Sequence, residues 1–529
     1  MTRISMKGGE AYLGPIKRAD SLDPKTNTIS DYETLGCIAV IEDSAKMQRT
    51  WHYDELAEMI TQLAVGLHNL RLPRGTRIGI ASLNSVDFLI AYFALLRSGL
   101  VVVPLNFQLA PSALQHMIDD ACIDFILVDE EAEARMPTGV RMVRFGSERW
   151  LEWLASKLVK LSPPSLLDEA MVMYTSGSTG QPKGVPINHM GLKWIIDKRI
   201  TAQGYAPKET LLVAAPMYHS NGLGNCIFAL ALGAQLVLQP RFDANSFVRA
   251  ILQNQVSYIT GVPAMLAMAL TQLECQLPHA LSCVRTVRLA SAPFGAALRQ
   301  RLADIFKGAS IINAYGTTES GLVPFGPGPS NQHIPPLSLG WLSADVQVRL
   351  VDKNGHNTDE GVLWIKTPAT MKGYLNLPEL SKLVLDSSGL YCTGDRMRRG
   401  VDGEYYFLLR DDDMFVCGGE NIYPNEVEQL LEQHPAVEQA CVVPVDDEIK
   451  GQKPFAFVIL HAGVSATPED LRKFALEHAP VYRHPRHVIL LKKFPTTGSE
   501  KVNRIALRQL AEVELARIKL SLNSNHNKT

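Results

Sequence analysis

Very little in this sequence assigns it by composition. Its 529 residues carry a formal net charge of -2, from 52 Lys and Arg against 54 Asp and Glu, so no excess of either sign points to nucleic acid or to an acidic surface as a partner. No cysteines stand at CxxC spacing. Cys37, Cys122, Cys226, Cys275, Cys283, Cys392, Cys417 and Cys441 are scattered in mostly apolar or glycine-rich contexts, which predicts free thiols and a reduced, cytoplasmic setting. The N-terminus MTRISMKGGEAYLGP lacks the apolar core of a secretory signal, and the tail SLNSNHNKT is polar. The uncharged stretch over residues 223–240 is interrupted by Gly224, Asn225, Gly233 and Gln235, which predicts a buried helix and strand and no integral membrane association. No repeat of solenoid length is evident.

What is present is concentrated in residues 170–185, AMVMYTSGSTGQPKGV. The apolar run Met171, Val172, Met173, Tyr174 predicts a buried strand that empties into a loop of Thr, Ser and Gly closed by Lys183 and Gly184. Gly177, Gly180 and Gly184 allow successive N–H groups to turn inward. Thr175, Ser176, Ser178 and Thr179 add hydroxyls and Lys183 a compact positive charge, so phosphate suits the loop. The alternative is a polar surface turn. Only Gln181 and Pro182 separate Gly180 from Lys183, so the spacing is not the GxxxxGK[ST] of P-loop nucleotidases.

A chain of this length needs more than one core. Leu56, Met59, Ile60, Leu63, Ala64 and Leu67 recur at helical spacing, with Asp54 as candidate N-cap. RIGIA at 77–81, a helix over 86–97 closed by Gly99, and a strand opening with VVVPLN then follow βαβ logic, which predicts a parallel sheet covered by helices. After Pro163 and Pro164 the alternation resumes through LLVAAPM, QLVLQP, SYIT, TVRLA and SIINAYG with helices between them, so at least two parallel-sheet lobes are expected. Past Gly340 the period shortens. DVQVRLVD, GVLWIKTP, GLYCTGD and GEYYFLLR predict a small antiparallel sheet or barrel. From about Asp411, the strands ACVVPV, PFAFVIL and HVILLKKF alternate with helices over 425–433, 468–477 and 504–519. The expectation is an α/β protein with a large N-terminal domain, residues 1–410, of parallel-sheet lobes plus a small β-barrel, and a small α+β domain over residues 411–529.

YTSGSTGQPKG resembles the signature loop of the adenylate-forming superfamily, which contains acyl- and aryl-CoA synthetases, adenylation domains of nonribosomal peptide synthesis and firefly-type luciferases. The resemblance implies a mobile loop in which residues 175–180 and Lys183 hold the β- and γ-phosphates of ATP. NAYGTTES, residues 313–320, follows an apolar strand, and such loops are where open α/β sheets bind ligands. By the resemblance Tyr315 stacks on adenine, flanked by Asn313, Ala314, Gly316 and Thr317; Thr318 contacts phosphate; Glu319, with Thr175, ligates Mg2+. The stretch Ala290, Ser291, Ala292, Pro293 lies by the adenine. In YCTGDRMRR, Asp395 resembles the ribose-binding acid, a group able to accept two hydroxyl hydrogens. In LLRDDDMFVCGGENIYPNEVE, Arg410 would be the second ribose contact, Asp412 the hinge to a mobile C-terminal domain, and Gly418 and Gly419, with Glu420 and Asn421, the loop that meets CoA. The family has Gly where Leu409 stands.

In FPTTGSEKVNR, Lys501 matches the lysine that bridges carboxylate and α-phosphate, and Glu500 stands where the family has Gly. PMYHSNGLG with His219, and Gly261-Val262-Pro263, correspond to the acyl pocket; by residue type alone, His219 fits a packed, satisfied histidine equally well. These motifs run in the family's order across roughly residues 50–508. They imply an AMP-forming carboxylic acid:CoA ligase using ATP, Mg2+ and CoA, which converts a small acid to acyl-AMP plus pyrophosphate and then to a thioester. The alternative is a stand-alone acyl-AMP ligase that loads a separate carrier protein. A non-catalytic nucleotide sensor is disfavoured, because Lys183, Glu319, Asp395, Arg410 and Lys501 are all present. The acid, aliphatic or aromatic, and a homodimeric state are left open.

Overall fold

The computed structural model describes residues 37–43, 48–176, 181–202, 209–276, 281–328, 334–417, 420–447, 451–478, 484–498 and 501–526. Two mostly parallel sheets dominate. One has six strands in the order Met142–Arg144, Ile126–Val128, Arg77–Ala81, Val101–Pro104, Glu169–Ser176, Pro182–Asn188. The other has seven, in the order Ser310–Ala314, Thr286–Ala290, Tyr258–Gly261, Thr210–Val213, Gln235–Leu238, Ile38–Asp43, Gln48–His52. Each ends on one antiparallel edge strand.

Strand alternation sends successive side chains to opposite faces, and a parallel sheet must cover both. Leu211 and Val213 join a core shared by the two sheets, whereas Leu212 between them joins a separate outer core beneath the helices Ala244–Gln253 and Pro263–Gln276. The shared core is filled by Tyr53–His68, Val86–Ser98 and Ser220–Leu232. A helix apolar all round has nowhere to go but inside. In Val86–Ser98 every residue from Phe88 to Leu96 is buried; Ser85 caps its start through the Phe88 N–H, and Gly99, at φ +76°, closes it.

Three local expectations change. Asp54 is not the N-cap: His52 ends a strand in extended conformation and passes directly into the helix Tyr53–His68, with Glu55 accepting its backbone N–H at 3.5 Å. Asp54 stays in the first turn, where a carboxylate still suits the positive end of the dipole. Residues 38–43, not anticipated as a strand, insert in parallel beside Gln235–Leu238 and tie the start of the described chain to the second sheet. The segment expected as sheet or barrel is a four-stranded antiparallel sheet, Gln347–Val351, Glu360–Lys366, Tyr391–Arg399, Tyr405–Arg410, whose outer strands do not pair among the described residues. Four strands are too few to curl around a filled interior. Beyond Arg410, the long antiparallel pair Val437–Asp447 and Gly451–Leu460 carries two cores of its own, one on each face.

Candidate active site

The site is built where strands end. Ser310–Ala314, Thr286–Ala290 and Tyr258–Gly261 are parallel neighbours, so Tyr315, the 290–293 loop and Gly261 emerge at one edge, the usual ligand edge of an open sheet. At Ser291 the backbone takes φ +70°, uncommon for a residue with a side chain and typical of ligand-facing loops. A Cβ on Gly316 would sit 2.5 Å from the Leu322 Cα, so only glycine lets residues 315–322 fold back. The fold-back is held by the Thr317 N–H donating to Gly321 O at 3.2 Å and by the Thr317 and Ser320 hydroxyls 2.9 Å apart. The Asn313 side-chain amide donates to Leu337 O at 2.7 Å.

Glu319, 8% exposed, accepts from the Thr175 hydroxyl at 3.5 Å and from the Tyr374 phenol at 3.0 Å. Lys183 Nζ lies 5.5 Å from the centre of the Tyr374 ring. The strand runs on through Ser176 and pairs antiparallel with Pro182–Asn188, Thr175 opposite Lys183. Gly177, Ser178, Thr179 and Gly180 lie outside the described residues, as do the side chain of Ser176, Gly418, Gly419 and Glu500. Tyr374 was missed from the sequence. Its segment, MKGYLNLP, has no chemical signature, and only the fold brings it to Glu319.

Asp395, 4% exposed, is paired in register with Arg410; it accepts from the Arg410 guanidinium at 3.2 Å and from the Tyr315 phenol at 2.5 Å. Burial, then the Asp395 charge, drives the phenol pKa well up, so Tyr315 stays a neutral donor. A ribose hydroxyl binding Asp395 must share its carboxylate with that phenol.

The C-terminal loop closes over this edge. The Tyr218 phenol donates to Gly498 O at 2.9 Å, and a Cβ on Gly498 would come 2.6 Å from the Asn106 amide nitrogen. This docking brings Lys501 within electrostatic reach of Arg410, Asp395, Glu319 and His219. Lys501 keeps an exposed flank, but protein crowds its ammonium. That desolvation, then repulsion from Arg410, lowers its pKa, and Asp395 and Glu319 oppose the shift.

His219 precedes the helix Ser220–Leu232, and its Nε2 is buried without a hydrogen-bond partner among the described residues. Desolvation, then the Lys501 charge, lowers its pKa to about 4. Between an unfolded value of about 6.5 and that folded value, the unfolded chain binds a proton that the native chain does not, so stability falls as pH falls through this window. His219→Gln should remove about 2 kcal/mol of the stability lost between pH 7 and 5. Urea unfolding of both proteins at the two pH values measures it; Asp87 and Glu432, whose pKa values are raised to about 6 and about 7 mainly by burial, shift oppositely and cancel in the difference. Identical pH slopes would mean that His219 does not stay neutral in the fold.

Beside Thr317 and Thr318 opens an apolar cavity of about 520 Å³, its mouth included, walled by Tyr92, Met171, Ile195, Leu223 and Leu322.

Comparison with known proteins gives the same picture. Residues 33–375 match the family described as AMP-binding enzyme, and residues 426–501 match its C-terminal domain. A feruloyl-CoA synthase from an Amycolatopsis species is 32% identical over 468 residues, 86% of this chain and 93% of that one. A 2-succinylbenzoate–CoA ligase from a Geobacillus species is 28% identical, over 86% of this chain and 92% of that one. Among solved structures, o-succinylbenzoate CoA synthetase from Bacillus subtilis in complex with ATP and magnesium superposes with a TM-score of 0.74 at 25% identity, covering 90% of this chain and 98% of that one. Sequence and fold therefore agree: the chain belongs to the AMP-binding enzyme family, in its acyl- and aryl-CoA synthetase branch.

Proposed function

We propose that this AMP-forming acid–CoA ligase divides its work between residues 1–410, which bind nucleotide and acid, and residues 411–529, which deliver Lys501 for the first step and withdraw it for the second. The observation that carries the reading is the convergence of Lys501, Glu319, Asp395, Arg410 and His219 at one sheet edge. A carboxylate is a poor acyl donor because its leaving group would be oxide. Its attack on the α-phosphate of ATP makes a mixed anhydride and expels pyrophosphate, after which the CoA thiol takes the acyl group and AMP leaves. The Lys501 ammonium offsets repulsion between the attacking carboxylate and the phosphates. Thr175, Lys183 and Thr318 are assigned to the phosphates, Tyr315 and the 290–293 stretch to adenine, Asp395 and Arg410 to ribose, His219 and Gly261 to the acyl side. Bound Mg2+ supplies charge neutralisation on the phosphates. The donors suit it: one carboxylate, Glu319, beside one hydroxyl, Thr175, fits a hard cation that otherwise keeps waters and phosphate oxygens.

Acid-dependent pyrophosphate release from ATP, followed by thioester formation with free CoA, tests the reading. Release without a thioester, rescued by a phosphopantetheinylated carrier, would shift the acceptor to a carrier protein. The scattered thiols support a reducing, cytoplasmic setting, which imaging of the tagged chain checks.

Glu319→Gln removes one anionic oxygen at nearly constant volume, and Tyr374 can still donate to the amide oxygen. Adenylation should fall about 100-fold at limiting Mg2+, with recovery as Mg2+ is raised. An unaltered Mg2+ titration would refute the metal assignment.

A further inference from the structure

A second cavity, of about 360 Å³ with its open mouth included, meets the apolar one at Ser220 and Leu322. Its lining is mixed, with apolar groups such as Ala290, Ala314 and Leu322 beside polar and charged ones. Two guanidiniums, Arg199 and Arg288, share it with the amides of Asn221 and Asn225, and Tyr315 and Gly316 form the wall toward the nucleotide side. No Asp or Glu is among the lining residues.

Arg199 is 2% exposed and Arg288 5%. Among the described residues Arg199 is held by neutral acceptors, Gly224 O at 3.0 Å, Asn225 Oδ1 at 2.7 Å and the Tyr258 hydroxyl at 3.5 Å, with its guanidinium 3.9 Å from the centre of the Phe228 ring. Its Nε and the buried Nδ2 of Asn221 have no hydrogen-bond partner, and no carboxylate lies within ion-pair distance of Arg199 among the described residues. A charge taken out of water without a counter-ion is costly, and the cost is relieved when an anion enters. Packing on Phe228 would account for a buried arginine stem, but not for the unmatched donors of Arg199 and Asn221, two residues that line this cavity.

We propose that the acid this ligase activates carries a second anionic group, a carboxylate remote from the reacting one. Its hydrocarbon body occupies the apolar chamber, and its distal carboxylate is recognised by Arg199 and Asn221 within the positive potential of Arg288. This rests on the ligase reading and names the substrate class of the same site. A charge-assisted, two-point contact of this kind discriminates by about 10- to 100-fold against an analogue lacking the anion.

The test is pyrophosphate release at subsaturating acid with matched pairs: hexanoate against adipate, benzoate against terephthalate, and cinnamate against 4-carboxycinnamate. The wild type should prefer the diacid by at least about tenfold in kcat/KM in the best-used pair. Arg199→Met should bring that ratio to about one or below, chiefly through KM, and Arg199→Lys should retain part of it. ATP-induced thermal stabilisation reports that each variant is folded; if Arg199→Met is not, Arg199→Lys and Arg288→Met carry the comparison, because the ratio within a pair is insensitive to the amount of folded enzyme. Preference for the monoacid in every active pair, or a diacid preference unchanged in all folded variants, overturns the proposal and leaves the ligase reading standing. No release with any acid of either set would strike the ligase reading itself.

Discussion

Lys501→Ala is expected to slow acyl-AMP formation by about 100- to 1,000-fold and to leave thioester formation from supplied acyl-AMP within about twofold. The magnitude is that of losing one positioned cation opposite developing negative charge in a site from which water is largely displaced. The asymmetry follows from the two steps. Attack of a carboxylate on phosphate joins two anions, whereas attack of a thiol on an acyl carbonyl does not need the same cation. The fold should survive. Lys501 retains an exposed flank, and the following helix, Arg504–His526, is anchored by other groups: Arg504 pairs with the buried Glu428 at 2.7 Å, and Glu428 also accepts the Val442 N–H at 2.7 Å. Stopped-flow pyrophosphate release and thioester formation from synthetic acyl-AMP, measured on one preparation, decide the matter. Equal losses in the two half-reactions would remove Lys501 from the first step and make it a structural residue.

Much of the fold was legible because its signals are local. The helix Val86–Ser98 announced its burial by being apolar on every face, and the paired edge of the site followed from apolar strands that end in polar loops. What depended on distant partners was not legible. Asp54 looked like a cap because the sequence gives no hint that a strand would run to His52 and leave no turn before the helix. Arg199, within HMGLKWIIDKRITA, reads as a solvated charge near a helix end; it is buried because Gly224, Asn225 and Tyr258, 25 to 59 residues away, converge on it. Tyr374 reaches Glu319 across 55 residues in the same way. The motifs could name Glu319, Asp395 and Tyr315, but not Tyr374 or the bond from the Tyr315 phenol to Asp395.

Asp412→Pro is expected to separate the half-reactions in the opposite manner, keeping adenylation and losing thioester formation by about 100-fold or more. Asp411–Asp413 is a single short turn between Tyr405–Arg410 and Phe415–Cys417, so the chain entering the C-terminal segment has few other backbone torsions to turn about. Polar contacts that dock that segment beyond the turn include, among the described residues, Arg301 to Glu438 at 3.4 Å, Thr271 to Glu438 at 3.5 Å, Asn425 Nδ2 to Leu408 O at 2.9 Å, and the Tyr218 phenol to Gly498 O. Pairs of this kind contribute about 0–1 kcal/mol each, so thermal motion can exchange one docked arrangement for another. Proline would fix φ near about -65° and delete a backbone donor, which removes the freedom that exchange requires. With Lys501 already among Glu319, Asp395 and Arg410, the arrangement trapped is the one suited to adenylation. Asp411→Ala is the control, since it gives up only the partly exposed ion pair of Asp411 with Arg396 at 3.5 Å and should change either rate less than about threefold. Single-turnover pyrophosphate release and thioester formation from synthetic acyl-AMP, on both variants, test the pivot; if Asp412→Pro leaves both rates intact, the C-terminal segment does not turn about Asp412.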